Sequence, residues 1–249
     1  MISVVTITCR EEAFLDALEA SLHERGNHER EHEIEWVLID EFHHRRQFPQ
    51  TVHLPPKQSV YRYYDLPDPN SARNTGIAVA RGSYIVFLDD CMTVTPGWIS
   101  LVAEAAERQI GFRSHVLFRS GTPTLSDYVA RNDAWVAVSP LQCNGIVGAP
   151  RAAWDAIDGF DESYAGEMRF EDIEAIIRLS RVGLPFYTSR RACAIHWRQE
   201  PLFEDCRDGT RNGAKLEALL VSRRTLPETP THLAKLRTRL RDRAHHSQA

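Results

Sequence analysis

The sequence predicts an α/β fold: a Rossmann-like, mostly parallel sheet flanked by helices, with a basic helical appendage at its C-terminal end. Three observations predict it. Ile2–Thr8 and Ile34–Asp40 are unbroken apolar runs rich in β-branched residues, as strands buried on both faces require. Stretches of helical periodicity follow such runs, which is the alternation of βαβ units with right-handed crossovers. The chain has 249 residues, 43% hydrophobic and 26% charged. That is ordinary globular usage, and it excludes a disordered, collagen-like or disulfide-framed protein.

From the N-terminus, the first strand runs from Ile2 to Thr8. Phe14, Leu18 and Leu22 then repeat every four residues, Leu15 widens the stripe, and Gly26 stands where a helix C-cap belongs. A polar stretch leads to the strand Ile34–Asp40, and Val60–Leu66 reads as a third strand. Pro69-Asn70-Ser71 starts a helix that carries Ala72, Ile77, Ala78 and Ala80 and ends by Gly82. Tyr84–Leu88 is a strand that stops at Asp89-Asp90, and Pro96 opens a helix with Trp98, Leu101, Val102 and Ala105.

The second half is less regular. Val116–Phe118 reads as a strand and Asn144–Gly148 as a flexible or tightly turning stretch. Phe170–Val182 is a strong helix stopped by Gly183, with a strand between Pro185 and Trp197. Leu233, Leu236 and Leu240 give the last segment an apolar edge. The expected organisation is one domain over residues 1–205 and a helical basic extension over 206–249.

The longest apolar runs are too short to span a bilayer, which takes roughly 20 residues, and the first residues lack the zones of a secretory signal. The expectation is a cytoplasmic protein, at most peripheral to a membrane. Five cysteines, none at C-x-x-C spacing, speak against a zinc or disulfide framework. The net charge is −4, yet Arg223–Arg243 alone carries +5 and leaves −9 elsewhere. A basic tail on an acidic body suits an anionic partner such as a membrane surface, a charged glycan or DNA, and equally suits a solvated, salt-bridged helix face.

Ligands of open parallel sheets bind beyond the carboxyl ends of the strands. Three expected strands end there in polar groups: Thr6 and Thr8, Asp40, and Asp89-Asp90. Asp40 alone reads equally well as the N-cap of a following helix. The adjacent Asp89 and Asp90 repel each other unless a positive group sits beside them. Hard Mg²⁺ or Mn²⁺ with oxygen ligands is the usual answer. There is no G-x-G-x-x-G, no Gly-Lys pair and no G-x-S-x-G, so neither a dinucleotide fingerprint, a Walker loop nor an α/β-hydrolase elbow is supported.

Ile2–Thr8, Trp36–Asp40 and above all the block from Ser71 to Asp90 (SARNTGIAVARGSYIVFLDD) resemble family 2 glycosyltransferases of the GT-A fold. Gly159-Phe-Asp-Glu162 followed by Phe170-Glu-Asp172 is similar to that family's acceptor-side segment, and the resemblance covers about residues 1–200. It implies a transferase using a nucleotide-sugar donor and a hydroxyl acceptor. Thr6, Thr8 and Asp40 would contact the donor, with Arg73 near the nucleotide. Asp89 and Asp90 would fall in the D-x-D region, handling ribose and a metal-bound diphosphate. Asp172, with Glu171 beside it, would be the general base for inverting transfer, and His196 would stand where a late metal-ligating histidine is found. On their own residues, Glu171-Asp172 also suit the first turn of a helix, and His196 also reads as a satisfied strand histidine.

Cys91 occupies the third place of a D-x-D that begins at Asp89, and a thiol is a poor ligand for Mg²⁺ or Mn²⁺. Either Asp90 and His196 hold the metal, or binding is weak, or the enzyme works without it. The segment Asp40–Arg46, rich in His and Arg, and Arg10 also depart from the family pattern. Two other readings remain. A nucleotidyltransferase would need a Gly-rich phosphate loop, which Thr6–Glu11 lacks. A nucleic-acid-binding module using the basic tail, or transfer to a modified base in DNA, would give that tail its partner.

Overall fold

The computed structural model describes residues 1–8, 14–24, 33–40, 69–120, 134–139, 146–164, 171–198, 210–221 and 232–246. The third strand expected at Val60–Leu66, the stop at Gly26, the segment after Asp40, Arg10, Arg223 and Arg224 lie outside them.

A seven-stranded sheet forms the centre, in the order β2-β1-β3-β8-β5-β9-β7. β1 (Ile2–Thr8) pairs in parallel with β2 (Ile34–Asp40) on one side and β3 (Tyr84–Phe87) on the other. β4 (Met92–Val94) belongs to a second sheet. β5 (Gly111–Arg113) joins the large one, and β6 (His115–Ser120) joins β4 in the small one. β7 (Val136–Ala137) and β9 (Phe186–Thr188) form the far edge of the large sheet. β8 (Val147–Pro150) enters antiparallel between β3 and β5. β10 (Cys193–Arg198) is the middle strand of the small sheet, antiparallel to β4 and parallel to β6.

Alternation of β1 sends its side chains into two cores. Ile2 and Val4 join Leu38, Tyr84 and Val86 beneath α1 (Leu15–Leu22) and α3 (Trp98–Arg108). Val5 joins Val37, Ile39, Ile85 and Phe87 beneath α2 (Pro69–Val79), α4 (Arg151–Ala156), α5 (Glu171–Arg181) and Leu233 of α7 (His232–His246). α6 (Thr210–Val221) lies against α5. Two covered faces explain why the central strands read as unbroken apolar runs.

Of the stretch Asn144–Gly148, read as turning, residues 144 and 145 lie outside the described residues, and Val147 and Gly148 belong instead to a fully buried strand, Val147–Pro150. Its glycine serves close packing, since a Cβ on Gly148 would stand 3.0 Å from the Tyr84 ring and 3.2 Å from Val86. A four-residue strand with Gly and Pro in it carries no periodicity. The stretch between Pro185 and Trp197 is two strands in different sheets.

The direction of α2 decides which of its side chains reach the ligand-binding edge of the sheet. Its C-terminal end lies at the amino ends of the strands, where Gly82 N donates to Ser3 Oγ at 2.8 Å. Midway, Gly76 packs so closely that a Cβ would stand 2.4 Å from Val5 Cγ1. The helix therefore runs antiparallel to β1, and Asn70 and Arg73 lie toward the carboxyl edge. Arg151 caps the far end by donating to the carbonyls of Ile77, Ala80 and Gly82, groups a helix otherwise leaves unsatisfied. Burial pulls the Arg151 pKa below its ordinary value, and the nearby charge of Arg237 adds to this.

Candidate active site

The carboxyl edge of β2-β1-β3 gathers the polar strand ends. Thr8 and Asp40 are register neighbours, 3% and 1% exposed. The chain leaving β3 turns through Asp89 and Asp90 back over β1, and Thr8 Oγ1 donates to Asp90 Oδ2 at 2.6 Å. The Asp90 carbonyl accepts from Phe14 N at 3.1 Å, which ties this turn to the entry of α1. Thr6 lies deeper: it is fully buried, and its hydroxyl accepts the Trp36 indole N–H at 3.0 Å. Its chemistry is spent inside the sheet, where it supports the rim from below.

On the other side of the edge, Arg73 carries a positive charge held at several points. Its guanidinium donates to Asn70 Oδ1 at 2.9 Å, lies 3.4 Å from Glu171 Oε1 and stands 5.3 Å from the Phe160 ring centroid. This link brings the first turn of α5, and with it Asp172, to the rim of α2. Glu171 Oε2 is buried without a hydrogen-bond partner among the described residues. Asp172 is half-buried, and its Oδ1 accepts from Ile173 N at 2.8 Å. Asp172 shares the sheet-facing side of α5 with Ile176 and Leu179, one helical turn or two below it.

His196 sits on β10 opposite Met92 of β4 and Phe118 of β6. Its Nε2 lies 3.3 Å from Cys91 Sγ, and its ring centroid lies 5.3 Å from that of Phe118. Trp197 N donates to the Cys91 carbonyl at 3.0 Å, which fixes Cys91 against β10. The pair was not anticipated from sequence, because Cys91 and His196 are 105 residues apart and only the small sheet joins them.

Two further residues organise the site. Asn74 Oδ1 accepts from Phe160 N at 2.8 Å, while its amide donates to the Phe160 carbonyl at 3.0 Å and Glu162 Oε1 at 2.9 Å. Asn70 donates to the Asp161 carbonyl at 2.9 Å. Together they clamp the turn Gly159–Glu162 onto α2. Gly159 adopts φ +76° there, with no space for a side chain beside Asn74. The signal available in the sequence is the polar stripe Asn70, Arg73, Asn74 at helical spacing.

The metal question turns on donor chemistry. Asp89 and Asp90 are oxygen donors suited to a hard ion that keeps waters and takes further ligands from phosphate. The Cys91–His196 pair is a sulfur and nitrogen set. Among the described residues no three His, Cys, Asp or Glu side chains converge as a ready-made centre. Elsewhere, a cleft of about 480 Å³ opens beside α5 and α6, lined by Asp161, Tyr164, Glu174, Lys215 and Leu219 among others. Burial raises the Glu174 pKa although Arg178 pairs with it, and burial pushes Tyr164 up to about 12.

The sequence model described as glycosyl transferase family 2 matches residues 3–112. No curated protein sequence matches the chain significantly. Among solved structures, TarS residues 1–349 from S. aureus in complex with UDP-GlcNAc is 14% identical, with TM-score 0.57 over 80% of this chain and 59% of that one. GalNAc-T7 with UDP, GalNAc and Mn²⁺ is 19% identical, with TM-score 0.58 over 80% of this chain and 43% of that one. A longer S. aureus TarS structure is 14% identical, with TM-score 0.60 over 94% of this chain and 42% of that one. The chain thus spans between two fifths and three fifths of these proteins. Its fold is that of the GT-A glycosyltransferases, and residues 3–112, less than half of the chain, are similar to glycosyl transferase family 2.

Proposed function

We propose that the protein is an inverting glycosyltransferase that moves a sugar from a nucleotide-diphosphate donor to a hydroxyl acceptor. The observation that carries this reading is the rim where Thr8 stands beside Asp40 in register and bonds to Asp90 at 2.6 Å. Rigid strand ends there present acids to one ligand. Thr8 and Asp40 contact the base and ribose. Arg73, pinned between Asn70, Phe160 and Glu171, sets a fixed positive charge near the nucleotide. Asp89 and Asp90 are the carboxylates that would hold a divalent ion, which when bound offsets the negative charge of the departing diphosphate.

In the transfer, the acceptor oxygen forms a bond to the anomeric carbon as that carbon's bond to the diphosphate oxygen breaks. Asp172 takes the proton of the acceptor hydroxyl. The nucleoside diphosphate leaves with the bonding pair, and one displacement inverts the configuration.

The test is a donor screen followed by Asp172→Asn. The variant should retain the wild-type dissociation constant for the donor while turnover falls by about 10²–10⁴, the usual share of a general base. Turnover at the wild-type rate in Asp172→Asn would remove the base from this account. The acceptor, and the anionic partner of the basic C-terminal helix, belong to the same screen: a charged glycan, anionic vesicles and duplex DNA are its three arms.

A further inference from the structure

The C-terminal helix reaches the donor site through one side chain. We infer that His232, the first residue of α7, is a positioning residue: through Glu162 and Asn74 it holds the Gly159–Glu162 turn, and that turn seats Arg73. The role of Arg73 rests on the donor reading, whereas the link from His232 to the turn stands on geometry alone.

The turn is held by two helices. On α2, Asn74 bonds both the N–H and the carbonyl of Phe160, and Asn70 donates to the Asp161 carbonyl. On α7, Leu233 packs so closely that a Cβ on Gly159 would stand 3.3 Å from Leu233 Cδ2, and would strike Asn74 Oδ1 as well. His232 grips the turn at both ends. Its backbone N–H donates to Asp158 Oδ2 at 2.7 Å, and Leu233 N donates to Asp158 Oδ1 at 2.8 Å. A helix has no partners of its own for these groups. Asp158 holds φ +58°, a left-handed conformation that a residue with a side chain keeps only where its surroundings impose it.

At the other end, Glu162 Oε1 lies 2.9 Å from His232 Nε2 and accepts from Asn74 Nδ2 at 2.9 Å. A carboxylate oxygen has no proton to offer, so His232 Nε2 carries one and donates. One oxygen thus joins the start of α7 to the middle of α2, across 70 residues of chain. Asn74 is fully buried. Its amide spends its hydrogens on Glu162 and the Phe160 carbonyl, which leaves Oδ1 for Phe160 N. A buried amide has little water to replace a lost partner, so a loosened Glu162 is felt at Phe160. Arg73 precedes Asn74 and stands 5.3 Å from the Phe160 ring centroid. If α7 only covered the core, Leu233 would suffice and the His232 side chain would be expendable.

The full chain is compared as wild type, His232→Ala and His232→Gln. Hydrogen exchange reads the Phe160 amide against the amides of β1. Calorimetry reads the binding of each of the four ribonucleoside diphosphates with Mn²⁺ present. In His232→Ala the Phe160 amide should exchange about three to ten times faster, with diphosphate affinity weakened by a similar factor, the span of one hydrogen bond's net contribution. The β1 amides should keep their wild-type rates. His232→Gln, whose side-chain amide donates to Glu162 in place of the imidazole, should restore both readouts. Phe160 exchange at the wild-type rate in His232→Ala overturns the inference and leaves the donor reading standing. A change shared by the β1 amides, or equal in both variants, overturns it as a general loss of stability. Faster Phe160 exchange with undiminished diphosphate binding overturns it as a purely structural contact. Faster exchange that Gln restores, in a protein whose wild type binds none of the diphosphates, supports the link to the turn and sinks the donor reading instead.

Discussion

Glu104 receives both terminal nitrogens of Arg191, at 2.9 and 2.6 Å, and the Trp135 indole N–H at 3.1 Å. The hydrogen bond from Arg191 is the main reason its pKa lies below the ordinary value of 4.5. A carboxylate with a depressed folded pKa contributes stability that is present above the unfolded value and is lost as pH falls through the folded one. Urea unfolding of Glu104→Gln should therefore show a deficit at pH 7 that shrinks below about pH 4.5. A deficit constant from pH 7 to pH 3 would mean that the pair acts through packing alone. Asn74 is the corresponding residue for the site. Asn74→Ala removes three hydrogen bonds to the Gly159–Glu162 turn, at roughly 1–3 kcal/mol for each buried group left unsatisfied. Its expected signature is a lower melting temperature together with weaker donor binding, because Arg73 leans on the same turn through Phe160.

At the scale of elements, α2 against β1 is the contact that aims the site. Gly76→Ala places a methyl where Val5 Cγ1 already stands, an overpacking that costs roughly 1–3 kcal/mol. Adding Val5→Ala should recover part of that loss, so the double variant should be more stable than the sum of the single effects predicts. Strict additivity in denaturant titrations would place the strain elsewhere. The elements that were legible in sequence are those whose period is long or whose burial is two-sided: β1, β2, α2, α3 and α5. The strand ends Thr8, Asp40 and Asp90 could be placed at one edge for the same reason, since parallel neighbours align their carboxyl termini. What stayed hidden has physical causes. β4, β5, β7 and β8 are two to four residues long and carry too few side chains for a period. Thr6 resembles Thr8 in sequence, and only the hydrogen bond from the Trp36 indole shows that its hydroxyl is already used. The Cys91–His196 contact depends on a sheet whose strands no local pattern joins.

Across the whole molecule, the basic C-terminal helix is seated on the domain. Leu233 is 2% exposed within the core beneath α2, Asp158 accepts from His232 N and Leu233 N at its start, and Arg237 meets Asp155 at 2.6 Å. Lys235, Arg239 and Arg241 face outward. Leu233→Ala should cost about 2–5 kcal/mol, the range for truncating a core leucine. Substituting Arg239 and Arg241 by Gln should leave stability within about 0.5 kcal/mol while abolishing any salt-sensitive binding to an anionic surface. The small sheet joins residues 92–94, 115–120 and 193–198, so its middle strand is translated last. A ribosome that has released only the first hundred and ninety residues exposes a nascent chain whose sulfur and imidazole have not yet met. The small sheet then closes only late in synthesis, and products truncated before β10 should lack it.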